Sequence, residues 1–384
     1  MPEQTLEQRV VAAALEAGAS SVRIASAQAD SVARARMQAA FARDDYATWG
    51  YDAKRADDLT TPQNLLPGAA AVVCIAVAYA AAPPRRAKPL SGRVSRYAWS
   101  VDYHTTVRRV LRRVAEVLDA AAQTSVSRIA CDTAPIAERA YAVRAGLGWF
   151  GKHTNLIAPG IGSYVFLGEV VTTTPLRPDE PLRKTCGSCA RCVSVCPTGA
   201  LRGDDTIDAR RCIADLTQRV DGIPREWRAF VGDWLWGCDL CQDVCPPTQR
   251  APASADPHFA PIDEEAAFPD LQRLLHLRSG TFKRRFAKTA MGWRGAAVLR
   301  RNAAVALGNA LDRAAIPALV RSLEEDPHPM VRCHVAWALG RIGAPAALAA
   351  LRDRLPVESD VSVREEIALA LEPFPSLAPL KRNV

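Results

Sequence analysis

The chain has 384 residues, of which 49% are hydrophobic and 23% charged, and its formal net charge is +8 at pH 7. This composition describes a soluble chain of two or three domains with enough apolar material for real cores, which excludes a largely disordered protein. The positive charge suits a polyanionic partner such as nucleic acid, although excess arginine is also common on solvated surfaces.

Neither the N-terminal segment nor the most apolar run of the sequence predicts export or membrane insertion. Residues 1–20 carry Glu3, Glu7 and Glu16 and lack a basic start followed by a long apolar core, so they do not fit a signal peptide. The most apolar run, residues 69–82, is shorter than the roughly 20 residues that span a bilayer. We therefore expect a cytoplasmic protein without membrane contact.

Residues 1–180 are predicted to form a layered domain of the α+β or α/β class. Apolar residues recur at helical spacing from Leu6 and again from Val107 to Leu118, where arginines occupy the other faces. The remaining predicted elements are strands over 72–79, 128–130 and 164–171 and a helix over 137–145.

Two local patterns in this domain each have a structural and a functional interpretation. Asp132 follows an apparent strand, where its carboxyl could be catalytic or could cap the next helix. Gly146, Gly148 and Gly151 spell G-x-G-x-x-G but follow a helical pattern, which argues against a dinucleotide site. These glycines would instead allow a close backbone approach to a cofactor or to a neighbouring strand.

Residues 181–250 contain two cysteine runs of the bacterial ferredoxin type. The first run consists of Cys186, Cys189, Cys192 and Cys196, and the incomplete second run of Cys238, Cys241 and Cys245. A proline follows the last cysteine of each run. Leu235 stands where the second run lacks its first cysteine, and Cys212 between the runs is the candidate replacement. Two structural zinc sites are the alternative, because C-x2-C pairs also bind zinc.

The spacing favours two 4Fe-4S clusters with crossed ligands, because the cysteine beside each proline ligates the other cluster. One predicted cluster has the ligands Cys186, Cys189, Cys192 and Cys245. The other has Cys238, Cys241, Cys196 and Cys212.

Residues 270–384 combine a basic segment with a repeat. The motif at Ala306 to Gly308 recurs at Ala338 to Gly340, 32 residues later, which predicts a HEAT-like α-solenoid. Before the repeats the sequence concentrates cations, which are interleaved with Phe282, Phe286 and Trp293. This composition suits binding to an RNA backbone, but it is also typical of a solvated helix face. The predicted nucleic-acid contacts are Lys283, Arg284, Arg285, Arg294, Arg300 and Arg301.

The order of the motifs resembles the epoxyqueuosine reductase family over nearly the whole chain. The resemblance rests on SRYAWSVDYH from Ser95, the stretch from Cys131 to Asn155, and the two cysteine runs ahead of the repeat. It implies a cobalamin-binding reductase-like domain (1–180), a ferredoxin-like domain with two 4Fe-4S clusters (181–250) and a tRNA-binding solenoid (270–384).

The resemblance also implies roles for individual residues. Asp132 matches the proton donor. The positions where the family implies cobalamin contacts are Lys54, Tyr97, Asp132, Lys152, His153, Asn155, Ser163, Trp236, Gly237 and Asp239. For His153 the structural alternative is a buried, hydrogen-bonded histidine.

The implied reaction is reduction of the epoxide of epoxyqueuosine at the wobble position of tRNA. A ferredoxin or flavodoxin would load the clusters, cobalamin would act at the substrate, and a monomer is expected. Two other functions remain open from the sequence: a cobalamin and iron-sulfur reductase of a small molecule, and an electron-transfer protein with an RNA-binding tail.

Overall fold

The N-terminal half alternates short helices and strands around one sheet. Up to residue 172 the elements are α1 (Leu6–Glu16), β1 (Ser21–Ser26), α2 (Ser31–Ala42), α3 (Ala53–Thr60), α4 (Pro62–Leu65), β2 (Ala71–Ala78), β3 (Arg93–Val94), α5 (Tyr103–Asp119), β4 (Ser127–Ala130), α6 (Glu138–Arg144), β5 (Trp149–Phe150), β6 (Leu156–Ile157) and β7 (Val165–Thr172). The computed structural model describes residues 4–121, 124, 126–254 and 256–373.

The later elements are shorter in the cysteine region and longer beyond it. The cysteine region has α7 (Arg191–Val195), α8 (Ile213–Leu216), α9 (Arg225–Val231), β8 (Trp234–Trp236), α10 (Leu240–Asp243) and α11 (Pro246–Gln249). Beyond it lie α12 (Leu271–Leu275), α13 (Ser279–Phe286), α14 (Ala296–Ala310), α15 (Ile316–Glu325), α16 (Pro329–Ile342), α17 (Pro345–Arg354) and α18 (Val361–Leu371).

The chain divides into two compact units that do not follow the three predicted segments. The first unit comprises residues 1–82, 102–210 and 240–260, and the second comprises 83–101, 211–239 and 261–384. The predicted ferredoxin-like segment 181–250 is shared between them. Consecutive boundaries could not capture this, because the chain leaves each unit and returns to it.

The first unit is built on a four-stranded antiparallel sheet in the order β1-β2-β7-β4. The central strand β2 is buried on both faces, in keeping with its continuous apolar sequence from Ala71 to Val77. Helix α5 presents Val107 and Leu111 to one face, where Gly168 of β7 admits them closely. Helix α6 packs Tyr141 and its neighbours on the other face. The predicted mixed class is therefore confirmed as an antiparallel α+β arrangement.

The second unit contains the predicted solenoid. Helices α14, α16 and α18 stack side by side, and α15 and α17 form the outer layer. A Cβ on Gly308 would lie 2.8 Å from Ala338, and one on Gly340 would lie 2.4 Å from the carbonyl oxygen of Ala370. The 32-residue spacing thus repeats a close helix contact that only glycine permits.

A charged contact repeats with the same period. Arg300 Nε bonds Asp326 Oδ2 at 2.6 Å, and Arg332 Nη2 bonds Glu358 Oε1 at 2.8 Å. Both members of the second pair lie 32 residues after those of the first. Each pair closes the space between consecutive repeats, so these arginines belong to the solenoid framework.

Within the described ranges, the structure contains no helix that is both long and apolar enough to cross a membrane.

Candidate active site and cluster-binding cysteines

Asp132 lies in the connection between β4 and α6 of the first unit. Its φ of 56° is left-handed, and 55% of its side chain is exposed. Helix α6 begins at Glu138, and its N-cap position, Ala137, makes no side-chain cap. The helix-capping interpretation of Asp132 is therefore wrong. Instead, the backbone N–H of Asp132 donates to Glu138 Oε1, and the carboxyl of Asp132 stays accessible.

His104, at the start of α5, connects Asp132 to a second carboxylate. Its Nδ1 lies 2.7 Å from Asp102 Oδ1, and its Nε2 lies 3.5 Å from Asp132 Oδ2. The hydrogen bond with Asp102, aided by Asp132, raises the pKa of His104 to about 9. Sequence reasoning missed this residue, although it is the last residue of the SRYAWSVDYH motif.

Fully buried Glu169 and partly buried Glu138 lie near the Asp132 connection. Glu169 of β7 is fully buried, and neither carboxyl oxygen has a hydrogen-bond partner within the described part of the chain. Burial raises its pKa well above the usual value, with a further contribution from Glu138. Burial likewise raises the pKa of Glu138 to about 7. A single acid inside the apolar strand YVFLGEVV was the signal that could have identified Glu169.

The glycine motif serves a local strand pair. Gly146 follows α6 with φ 74°, and a Cβ on Gly148 would lie 2.5 Å from the carbonyl oxygen of Ile157 in β6. A Cβ on Gly151 would lie 2.7 Å from the His153 imidazole. As predicted, a helix and not a strand precedes the motif.

His153 is buried and retains one unsatisfied nitrogen. Its Nδ1 accepts from the backbone N–H of Asn155 at 3.2 Å, so the ring proton resides on Nε2. That Nε2–H has no hydrogen-bond partner among the residues that the structure describes. Burial lowers the pKa of His153 to about 4, which keeps the ring neutral. A buried donor of this kind fits a carbonyl group of a bound molecule.

The other cofactor candidates of the first unit are engaged with protein atoms. Ser163 Oγ is buried and bonds Gln242 and Thr248 at 3.0 and 2.9 Å. Lys54 bonds Asp58 at 2.7 Å on an exposed turn of α3, and Lys152 donates to the carbonyl oxygen of Gly187 at 2.9 Å. The hydroxyl of Ser163 therefore supports the local fold.

The four candidates of the second unit lie together. Trp236 Nε1 donates to the Tyr97 hydroxyl at 2.7 Å, and a Cβ on Gly237 would lie 3.1 Å from the Tyr97 ring. Asp239 is buried and accepts hydrogen bonds from Ser95 Oγ and from the backbone N–H of Arg96. The buried Asp239 carboxylate thus organises the turn, in which partly buried Tyr97 packs against buried Gly237.

Four of the predicted cluster ligands approach one another in the first unit. Cys186 and Cys245 belong to one apolar cluster with Trp149 and Ile157. Burial, together with Cys186 and Cys245, raises the pKa of Cys192 to about 11. Burial also raises the pKa of Cys245, with contributions from Cys186 and Cys189. Cys245 thus lies near each of Cys186, Cys189 and Cys192. Across the described ranges, no three His, Cys, Asp or Glu side chains form a group that could hold a metal ion.

The predicted ligands of the second cluster are divided between the two units. Cys196 and Cys241 lie in the first, and Cys212 and Cys238 in the second. The flanks of Cys212 and Cys238 meet at Thr217, whose Oγ1 accepts from the backbone N–H of Gly237 at 2.9 Å. Leu235 is fully buried and contributes its carbonyl oxygen to Asn302.

The predicted nucleic-acid cations separate into exposed and structural residues. Arg301 is fully buried and donates to the carbonyl oxygens of Leu216 and Thr217, so its assignment as a phosphate contact is wrong. Arg300 forms an ion pair with Asp326, so its prediction as a phosphate contact is also wrong. Arg285 is paired with Asp263 and Glu265 and is largely buried.

Of the remaining cations of the predicted set, two are exposed and Arg294 is partly buried. Lys283 and Arg284 are exposed on α13. Arg294 lies 3.7 Å from the ring centroid of Trp293, which is 52% exposed. Phe282 and Phe286 are buried, so Trp293 is the member of the predicted aromatic set that offers a stacking surface.

Three family profiles match the chain. They are the 4Fe-4S double cluster binding domain over residues 185–248, epoxyqueuosine reductase QueG (DUF1730) over residues 60–133, and HEAT repeats over residues 295–372. The predicted iron-sulfur region and solenoid are thereby confirmed.

Curated relatives extend the match to nearly the whole chain. An epoxyqueuosine reductase of Listeria monocytogenes is 33% identical over 366 residues, which is 94% of this chain and 96% of the relative. One from Bacillus cereus is 36% identical over 327 residues, 84% of this chain and 86% of the relative.

Solved structures agree. A crystal structure of epoxyqueuosine reductase with an epoxyqueuosine-modified tRNA-Tyr stem loop is 33% identical, with a TM-score of 0.89 over 95% of this chain and 98% of the other. A Bacillus subtilis epoxyqueuosine reductase with its catalytic aspartate loop swung out of the active site is 32% identical with the same TM-score and coverage. Sequence and fold together place this chain in the epoxyqueuosine reductase family.

Proposed function

We propose that this protein is an oxidoreductase that converts epoxyqueuosine at the wobble position of tRNA to queuosine. The observation that carries this proposal is the likeness, over 95% of the chain, to a structure holding an epoxyqueuosine-modified tRNA stem loop. The bound stem loop favours tRNA over a small molecule as the substrate.

The proposed cofactors are cobalamin and two 4Fe-4S clusters. When bound, cobalamin would supply the reduced cobalt that activates the substrate, and the clusters would supply single electrons. The eight cysteines provide the thiolate donor set that iron-sulfur clusters require. We assign Cys186, Cys189, Cys192 and Cys245 to one cluster and Cys238, Cys241, Cys196 and Cys212 to the other.

The residues of each unit fit a corrin in different ways. In the first unit, the unpartnered Nε2–H of His153 can donate to one of the amide groups that surround a corrin. In the second, buried Gly237 packs against Ser95 and Tyr97, because a Cβ on it would lie 2.6 Å from Ser95 Cβ. Asn155 and Lys152 lie on the same turn as His153. We propose His153, Asn155 and Lys152 as the cofactor contacts of the first unit, supported by Ser163. In the second unit we propose Tyr97 and Gly237, supported by Trp236 and Asp239.

Asp132 is the proposed general acid. Reduction of an epoxide to an alkene breaks two C–O bonds, consumes two electrons and two protons, and releases water. Negative charge develops on the departing oxygen, and a carboxylic acid placed there lowers the barrier, a contribution worth about 10² to 10⁴ in rate. The left-handed backbone of Asp132, fixed by Glu138, is the kind of conformation that clusters at active sites.

We also propose that the Asp132 connection moves. In the Bacillus subtilis relative, the loop of the catalytic aspartate is swung out of the active site. In this chain Asp132 is held by one backbone hydrogen bond and one contact with His104, both of which can break without disturbing the sheet. Movement of the connection would let a tRNA nucleoside enter before Asp132 closes on it.

The proposed tRNA contacts are the exposed cations Lys283 and Arg284 and the Trp293 and Arg294 pair. A ferredoxin or flavodoxin is the proposed electron donor, and the proposed active form is a monomer.

The test is turnover by anaerobically purified protein loaded with cobalamin, iron and sulfide. With a strong chemical reductant and tRNA containing epoxyqueuosine, we expect digested nucleosides to show loss of one oxygen atom by mass spectrometry. Protein with intact corrin and iron-sulfur absorption that leaves the epoxide unchanged would contradict the proposal.

A further inference from the structure

The Asp-Tyr-His sequence at the start of α5 forms a side-chain arrangement that the function above does not use. Asp102 caps α5 by accepting from the backbone N–H of His104 at 3.0 Å. The same oxygen lies 2.7 Å from His104 Nδ1, which fixes Nδ1 as a donor. The other nitrogen, Nε2, is 3.5 Å from Asp132 Oδ2 and has no hydrogen bond within the described residues.

Stacking fixes the direction of the imidazole. The Tyr103 and His104 rings lie 4.3 Å apart at 23°, and the Tyr103 and Phe166 rings lie 4.1 Å apart at 4°. Phe166 belongs to β7, so the stack ties the histidine to the sheet. His104 is 22% exposed, whereas its Nε2 atom is buried. The fixed ring therefore points Nε2 at the Asp132 connection.

The charges around His104 favour the imidazolium. Asp102 contacts it from its own element, Asp132 from the connection after β4, and Glu138 acts on it from α6. The hydrogen bonds from His104, together with Arg108 of α5, lower the pKa of Asp102 and keep its carboxyl ionised. The hydrogen bond with Asp102 is the largest contribution, and the pKa of His104 is raised to about 9. At neutral pH both ring nitrogens therefore carry protons.

The proposed reaction needs two protons, whereas the carboxyl of Asp132 holds one. Once Asp132 has protonated the oxygen, it is a carboxylate next to the Nε2–H of a charged histidine.

We propose that His104 is a second proton donor that reloads Asp132 within each turnover; this inference rests on the proposed function. The N–H bond of Nε2 breaks, an O–H bond forms on Asp132 Oδ2, and Asp132 then delivers this proton to the departing oxygen, which leaves as water. Solvent reprotonates His104, and the two electrons come from the proposed cofactors. Asp102 is the positioning residue that orients the ring and holds its charge.

The direction of transfer is consistent with the basicity of the final acceptor. The raised pKa of His104 means that the imidazolium keeps its proton at rest and releases it when a stronger base develops nearby. The final acceptor is an alkoxide or hydroxide oxygen, which is a far stronger base than imidazole. Protonation of that oxygen therefore draws the proton through Asp132.

The first test reads the protonation of His104 without any turnover. The chain has 6 histidines, and the NMR signal lost in His104→Gln identifies the one of interest. In the unloaded protein we expect its titration midpoint near 9, and a shift toward the ordinary value near 6.5 in Asp102→Asn. A midpoint near 6.5 in the unmodified protein would overturn the inference, whatever the protein catalyses.

The second test measures kcat against pH. Because the proton is present below the pKa of His104 and lost above it, activity should fall as pH rises through about 9. Asp102→Asn should move that fall to lower pH, and His104→Gln should remove it and reduce kcat by about 10².

The matched control is His258, whose Nδ1 lies 2.7 Å from Asp256 Oδ1 in the same Asp-x-His arrangement. His258→Gln should leave kcat and the pH profile unchanged. Full activity of His104→Gln with the unmodified profile would overturn the relay while leaving the proposed function intact, whereas inactivity of the unmodified protein would contradict the function itself.

Discussion

The Asp132 connection and helix α14 both carry charged residues for which sequence reasoning proposed a chemical role, and the structure treats them in opposite ways. Asp132 is 55% exposed on a left-handed turn that the helix cap does not use. Arg301 of α14 is fully buried and bonds backbone carbonyls. A charged side chain is thus available for chemistry only where the fold leaves it without a structural partner and open to a substrate.

The largest effect is expected at Asp132. Asp132→Asn keeps the shape but removes the transferable proton, so turnover should fall by about 10² or more. Corrin and iron-sulfur spectra should stay intact. Asn and Asp serve equally well in structural roles such as helix capping. Near-normal reduction of epoxyqueuosine-containing tRNA by the Asn variant would therefore contradict the catalytic role of Asp132.

Arg301 offers the complementary test. Arg301→Ala removes a buried donor from the carbonyl oxygens of Leu216 and Thr217 and leaves a cavity. We expect the free energy of unfolding to fall by about 3 kcal/mol, measured as a lower denaturant midpoint. Lys283→Ala on the exposed face of α13 is the control and should stay within about 0.5 kcal/mol. Equal effects of the two changes would contradict the structural role of Arg301.

The ion pairs between repeats predict an acid-sensitive solenoid. Burial opposes ionisation of Glu358, but hydrogen bonds from Arg332, the Asp360 backbone and Arg354 lower its pKa to about 2. Because this pKa is depressed, the stabilisation is present above the unfolded value near 4.3 and is lost as pH falls toward 2.

The expected loss is on the order of 2 kcal/mol, followed by helical circular dichroism during denaturation between pH 6 and pH 2. Glu358→Gln should flatten this dependence. Glu325→Gln, which removes an exposed pair with Arg321, is the control and should retain the dependence of the unmodified chain. A Glu358→Gln protein with the unmodified pH dependence would contradict this assignment.

The smallest effect is expected for the exposed cations. Lys283→Ala with Arg284→Ala should weaken tRNA binding and reduce the slope of log affinity against log salt by up to about one unit per lost phosphate contact. Exposed Arg313→Ala, at the far end of α14, is the comparison. A slope unchanged by the double substitution would move the tRNA contacts to another surface.

The elements were predictable where one signal dominated. The apolar run of β2, the periodicity of α5 and the 32-residue repeat each report burial that depends on local sequence. The cysteine runs are similarly explicit, because cluster ligation imposes its own spacing. These features specify the sheet, the helices and the iron-sulfur region without knowledge of distant contacts.

The site was only partly predictable because its geometry depends on distant residues. His104 and Asp132 are 28 positions apart, and their contact follows from how α5 lies on the sheet. Arg300 looked like a phosphate ligand because it is next to other cations, whereas its position 32 residues before Arg332 marked it as a repeat residue. The 32-residue period therefore indicated the structural role of Arg300 better than the local concentration of cations did.

Thr217 gives the solenoid a second purpose besides presenting a surface. Its carbonyl oxygen accepts from Arg301 and Asn302 of α14, while its hydroxyl accepts from the backbone of Gly237, next to Cys238. A chain truncated before α14 would therefore leave the carbonyl oxygens of Thr217 and Leu235 without these hydrogen bonds. The backbone near Cys212 and Cys238 would then be less restrained. If Cys212 and Cys238 ligate the second cluster as proposed, removal of the repeat region should lower the iron content of the purified protein.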